Sequence, residues 1–114
     1  MEMKLMGRTG VKVSPLCFGT MPFGTEADEA TSPKMFQLCR DAGINFFDTA
    51  DVNGKGRSEE ILGELIAPCR EEVVIASKAY FPTGPDANPR GASRYHLRNA
   101  VEASLPRLRT DRID

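Results

Sequence analysis

This chain is poor in cross-linking and metal-ligating side chains: its 114 residues include three cysteines and one histidine. Cys17, Cys39 and Cys69 are odd in number and widely spaced, no Cys-x-x-Cys occurs, and His96 is the sole imidazole. Neither a zinc site nor a disulfide framework is expected, and the cysteines read as reduced, mostly structural thiols. An excess of one charge is also lacking. Fifteen basic against sixteen acidic residues leave a formal net charge of −1, without the field that attracts phosphate backbones or anionic lipid. Nucleic acid and membrane are therefore not expected partners. No apolar run approaches the roughly 20 residues of a membrane-spanning helix, and the first ten residues lack the apolar stretch of a signal peptide. A cytoplasmic location is the expectation.

What is present, 40% hydrophobic and 27% charged residues, suits one core and is too little for two. Met3 and Leu5, a Gly7-Arg8-Thr9-Gly10 turn, then Val11 and Val13 predict a short hairpin, and Pro15 to Thr20 a short buried strand. Ser32 is expected to cap a helix that begins at Pro33, buries Met35, Phe36, Cys39 and Ala42, and stops at Gly43. Ile44 to Ala50 reads as a strand, Asp51 to Arg57 as a glycine loop, and Ser58, Glu59 and Glu60 as a helix start whose acids suit the helix dipole. Val73 to Lys78 has the β-branched run of a strand covered on both faces, followed by a Pro/Gly-rich loop from Phe81 to Gly91. Ser93 caps a third helix with Leu97, Val101, Leu105 and Leu108 on its apolar stripe, and Arg112-Ile113-Asp114 looks like a strand just begun. Pro106, inside that helix, costs about 3 kcal/mol relative to alanine, so a kinked or frayed last turn is expected.

This order of strands and helices demands parallel strands with crossover helices, either an open doubly wound sheet or part of a (β/α)₈ barrel. Asp48 and Lys78 lie one βα unit apart, each near the C-terminal end of its strand, on the catalytic face of such a barrel. A carboxylate beside a partly buried ammonium there creates a positive field able to lower a neighbouring acid's pKa; the same spacing suits a purely structural ion pair equally well. Gly54-Lys55-Gly56-Arg57-Ser58 lies at a strand-to-helix turn, but Glu59 occupies the third-glycine place of a dinucleotide fingerprint and no Walker loop is completed. A plain flexible βα loop is the better reading, with a small open α/β module binding a nucleotide there as the rival. His96, flanked by Arg94 and Arg98, reads as a solvated or half-buried surface histidine.

The stretch from Asn45 to Ile66, Asn-Phe-Phe-Asp-Thr-Ala-Asp-Val-Asn-Gly-Lys-Gly-Arg-Ser-Glu-Glu-Ile-Leu-Gly-Glu-Leu-Ile, closely resembles the signature of the aldo-keto reductases. Val13 to Thr20, Val73 to Ala79 and Val101 to Asp114 resemble the same family in the same order. The resemblance implies that residues 1–114 are the N-terminal part of a (β/α)₈ barrel domain: the hairpin, about three βα units and the start of a fourth strand. It further implies an NADPH-dependent oxidoreductase acting on small-molecule aldehydes or ketones, with Asp, Tyr, Lys and His at the barrel mouth. Asp48 and Lys78 match two of these four, and Gly19, Thr20 and Asp48 are the cofactor-binding positions implied.

At the tyrosine's place in the phrase usually read Asp-Val-Tyr-Gly, this sequence has Asn53. A phenol of ordinary pKa about 10 can be tuned into a general acid, whereas a carboxamide donates a hydrogen bond without releasing its proton at usable cost. The family's histidine lies beyond an Ile-Asp like Ile113-Asp114, as do most of its cofactor contacts. The resemblance therefore predicts that this segment alone is truncated, poorly stable and without reductase activity. The alternative is a non-catalytic relative that keeps the cofactor pocket and has lost proton donation. Tyr80, two residues past Lys78, is a remote candidate for a replacement phenol.

Overall fold

A computed structural model describes residues 1–114. The chain opens with the expected antiparallel hairpin, β1 (Lys4–Leu5) paired to β2 (Lys12–Val13), with Gly7 and Gly10 at φ 55° and 80° making the turn. Three parallel strands follow in sequential order, β3 (Cys17–Gly19), β4 (Phe46–Asp48) and β5 (Val74–Ala76). Their connections carry α1 (Thr31–Asp41) and α2 (Arg57–Ile66), and α3 (Arg94–Leu108) follows β5. Beyond α3 the chain returns to the sheet: the Asp114 amide donates to the Ile75 carbonyl at 3.0 Å, along the free edge of β5. The resulting slab measures 45 × 37 × 20 Å. No helix is long and apolar enough to cross a membrane.

The sheet is covered on one side. Phe18, Phe47 and Ile75 are partners across the three strands; Phe47 and Ile75 are completely buried against the helices, and the Phe36 ring lies 4.8 Å from that of Phe47. The residues alternating with them, Cys17, Gly19, Phe46, Asp48, Val74 and Ala76, are exposed or half-buried on the opposite face. This corrects the expectations of a buried strand at Pro15–Thr20 and of a strand covered on both faces at Val73–Lys78. Their β-branched and aromatic content is that of barrel strands, but within this chain only the outer, helix-facing half of it is packed.

The start of α1 differs from the expectation too. Asp28 Oδ1 accepts the amides of Ala30 and Thr31, so Asp28 satisfies the first orphan donors of α1. Ser32 lies inside the helix, buried, its hydroxyl donating back to the carbonyls of Ala27 and Asp28. Ala42 is exposed, while Gly43 at φ 90° stops the helix as expected. Pro106 does not end α3, which runs on to Leu108 and closes with Arg109 at φ 53°.

The buried stripe of α3 is His96, Ala100, Ser104 and Leu108, while Leu97 and Val101 are 43% and 42% exposed. Small residues four apart let α3 approach α2 closely, and Gly63 completes the contact from the other side. A Cβ there would stand 2.5 Å from the Arg107 carbonyl oxygen and 2.8 Å from Leu108 Cα. Helix propensity alone favours Gly63→Ala by up to about 1 kcal/mol, but a backbone clash cannot be relieved by a rotamer change, and overpacking costs about 1–3 kcal/mol. Gly63→Ala is expected to be net destabilising, and a denaturant midpoint that rose instead would show that the helices do not approach this closely.

The chain's return to the sheet also carries a pH dependence. Burial pushes the Asp114 carboxyl up, but the Ile75 amide and then Arg70 and Arg112 outweigh it and hold it below its ordinary value. For a depressed carboxyl the stabilising contribution is present above the unfolded pKa, near 3.9, and is lost as pH falls through the folded value. Asp114→Asn should lower stability at pH 6 and flatten its decline below pH 4, as read by unfolding midpoints across that range; an unaltered acid limb would contradict the assignment.

Candidate active site

Parallel register sets Gly19, Asp48 and Ala76 level at the C-terminal ends of β3, β4 and β5. Lys78 lies two residues past β5, and its ammonium donates to both oxygens of Asp48 at 2.6 Å and to the Thr49 carbonyl at 3.0 Å. The side chains stay 57% and 37% exposed, so the pair is an open one that fixes geometry more than it adds stability. Its effect reaches Cys17 on β3. There burial pushes the thiol up, Asp48 adds to the rise, and Lys78 opposes it more weakly. The carboxylate thus masks much of the ammonium at that position.

The pair borders a cavity of about 290 Å³ walled by Met21, Ala50, Val52 and Phe81, into which Gly19 and Asn53 also open. Asn53 begins a tight turn, Asn53–Gly56, in which Gly54, Lys55 and Gly56 all take left-handed backbone, at φ 57°, 54° and 92°. That run explains the glycines on either side of Lys55 structurally: glycine takes such angles at least cost, and the turn delivers the chain into α2. Thr20 is completely buried, its hydroxyl shared between Ser58 and the Asp48 carbonyl and its own carbonyl accepting from Ser58. Ser58 lies at the start of α2 as expected, and its buried hydroxyl also joins β3, β4 and α2, with Thr49 at 2.9 Å. Tyr80 is 57% exposed, packs edge-on against Phe81, and does not line the cavity.

Two features behind this mouth escaped the sequence reading. Glu59 lies in the first turn of α2 as expected but is completely buried: Oε1 accepts from Arg107 of α3 at 2.8–2.9 Å, and Oε2 from the Ser77 hydroxyl at 2.8 Å. His96 is 3% exposed, not a surface histidine, because α3 turns its His96–Ala100–Ser104 stripe inward. Alanine and serine four residues apart, in step with the histidine, were the signal available. Asp51, 5% exposed, sits nearby, and its amide donates to the Lys78 carbonyl at 3.0 Å, tying the loop after β4 to the loop after β5.

The model of the aldo/keto reductase family matches residues 15–114. The chain belongs to that family. An uncharacterized oxidoreductase of Bacillus subtilis is 44% identical over the whole chain, and a probable voltage-gated potassium channel subunit beta of Arabidopsis thaliana 42%. The chain spans 38% and 36% of the length of these two relatives. Among solved structures, the holo form of an aldo-keto reductase from Bacillus halodurans superposes with a TM-score of 0.86 at 32% identity, over 100% of this chain and 38% of that one. The aldo/keto reductase barrel is (β/α)₈, and this chain supplies its hairpin and first three βα units.

Proposed function

We propose that this segment contributes the Asp–Lys half of the mouth of an NADPH-dependent carbonyl reductase, with Asn53 in the proton donor's place. The observation that carries the reading is the bidentate Lys78–Asp48 pair beside a cavity that Asn53 also lines. A ring of nicotinamide size suits that cavity. Gly19 leaves open space at the strand end, where a Cβ would meet nothing within 4 Å, and the walls are mostly apolar. At about 290 Å³ the space is at the lower end of ligand pockets, room for a ring and a small carbonyl but not a dinucleotide. Gly19 and Asp48 would border the ring, and Thr20 would act through its hold on the Asp48 strand. Reduced nicotinamide supplies a hydride to the carbonyl carbon when bound.

The chain's own residues do the rest. Asp48 holds the Lys78 ammonium in one orientation. The Asn53 carboxamide would donate a hydrogen bond to the carbonyl oxygen and keep its proton, so the developing alkoxide would be left unprotonated during reduction, which slows that step, and would take its proton from solvent afterwards. A second reading, favoured by Asn53 itself, is a barrel that binds the cofactor without turnover. In a complete barrel carrying this segment, NADPH titration by fluorescence alongside NADPH oxidation with a reactive aldehyde separates the two. Tight binding with slow oxidation is expected. Binding with oxidation no faster than the enzyme-free control establishes the second reading, and absence of binding ends both.

A further inference from the structure

The loop 81–91 and α3 enclose a cleft of about 550 Å³ behind the catalytic mouth. Asp51 and His96 lie in its wall, 5% and 3% exposed, and each buries an atom that finds no partner within residues 1–114, Asp51 Oδ2 and His96 Nε2. A buried polar atom left unpaired costs about 1–3 kcal/mol, and the two residues that carry these atoms line one cleft, which marks it as a place where a polar partner comes from outside the chain.

Charge selects the partner. Arg107 also lines the cleft, but Glu59 already neutralises it through Nε and Nη2, while Asp51 and Asp86 face the same space. An anion is therefore repelled. No cluster of three carboxylate, imidazole or thiol ligands forms there to hold a metal ion. Asp51 Oδ2 calls for a donor, and an imidazole nitrogen accepts or donates according to tautomer; a hydroxyl group meets either need, and two adjacent hydroxyls meet both atoms at once. Tyr95, 65% exposed at the rim, offers a ring face to the C–H side of a sugar, and Asn88 and Asn99 add carboxamides that both donate and accept.

We propose that this cleft binds a neutral polyhydroxylated small molecule, a monosaccharide or polyol, through Asp51 and His96. Because the Asp51 amide also holds the Lys78 carbonyl, the bound molecule rests against the loop that carries the catalytic lysine.

The empty site has its own signature. Burial pushes the Asp51 carboxyl up, Glu59 adds to the rise, and Arg107 and His96 oppose it. For a raised carboxyl, ionisation weakens the fold: the cost is absent below the unfolded pKa and fully present above the folded one. Asp51→Asn should therefore leave the ligand-free melt at pH 7 unchanged or raised, which keeps loss of binding distinct from loss of folding.

The test uses the complete barrel, with D-glucose and erythritol as probes and inorganic phosphate and putrescine as charged controls, read by saturation-transfer NMR and thermal shift. Glucose or erythritol should give saturation transfer and raise Tm, and Asp51→Asn and His96→Phe should each weaken binding about tenfold or more, as loss of a buried hydrogen bond predicts. No sugar or polyol signal, a response to phosphate or putrescine instead, or a sugar signal that survives both substitutions would each overturn the proposal. None of these readouts uses turnover, so a failed reductase assay leaves this inference standing, and its failure leaves the reductase reading standing.

Discussion

Asn53→Tyr, in a complete barrel carrying this segment, is expected to raise kcat for an aldehyde by about 10²–10⁴, the usual return from a positioned general acid, with NADPH affinity nearly unchanged. The elements that would tune a phenol are already assembled. Lys78 is pinned by Asp48 at 2.6 Å, Asn53 lines the same cavity, and the turn that carries it is fixed by three left-handed residues rather than by the Asn53 side chain. A tyrosine installed there inherits a preset position and a neighbouring cation. Tyr80→Phe is the control and should change little, since Tyr80 is largely exposed and lies outside the cavity. If the parent already turns over rapidly and Tyr80→Phe abolishes it, the donor is Tyr80 and the account of Asn53 is wrong.

Removal of the Arg107 guanidinium should be the most damaging single change to the fold. Arg107→Met leaves the completely buried Glu59 carboxylate with only the Ser77 hydroxyl, and breaking a buried pair from one side costs about 3–5 kcal/mol. Glu59→Leu should cost less, because Arg107, 27% exposed, can recover part of its hydration. The double replacement Glu59→Leu with Arg107→Met should recover much of the loss, since no uncompensated charge then stays buried. Urea unfolding of the complete barrel measures all three. A loss below about 1 kcal/mol for Arg107→Met, or a double variant no better than the worse single one, would show that the pair does not bind α2 to α3 in the way described.

Much of the architecture was legible locally. The Gly7–Gly10 turn, the stop at Gly43 and the cap at Ser93, whose hydroxyl accepts the His96 amide at 2.9 Å, each depend on a few neighbouring residues and behave as their chemistry predicts. Ser32 misled for the same local reason: a serine before proline is a fair cap, but the Asp28 carboxylate four residues earlier reaches the free amides better and leaves Ser32 to be buried. The apolar stripe of α3 misled for a non-local one. Leu97 and Val101 are apolar, yet the close approach of α2 at Gly63 selects the small-residue face instead and draws His96 inward with it.

Local sequence, then, sufficed for the succession of strands and helices, the family, and the level at which Asp48 and Lys78 meet, because hydrophobic period, turn glycines and strand-end position are properties of short stretches of chain. Only the tertiary structure decided which charges are buried and with whom. Glu59 and Arg107 are 48 residues apart, Ser58 ties Thr20 to Thr49, and Asp51 shares a cleft with His96. Such pairings arise where two helices and two loops converge, and the low dielectric that gives them their weight exists only after the core has closed.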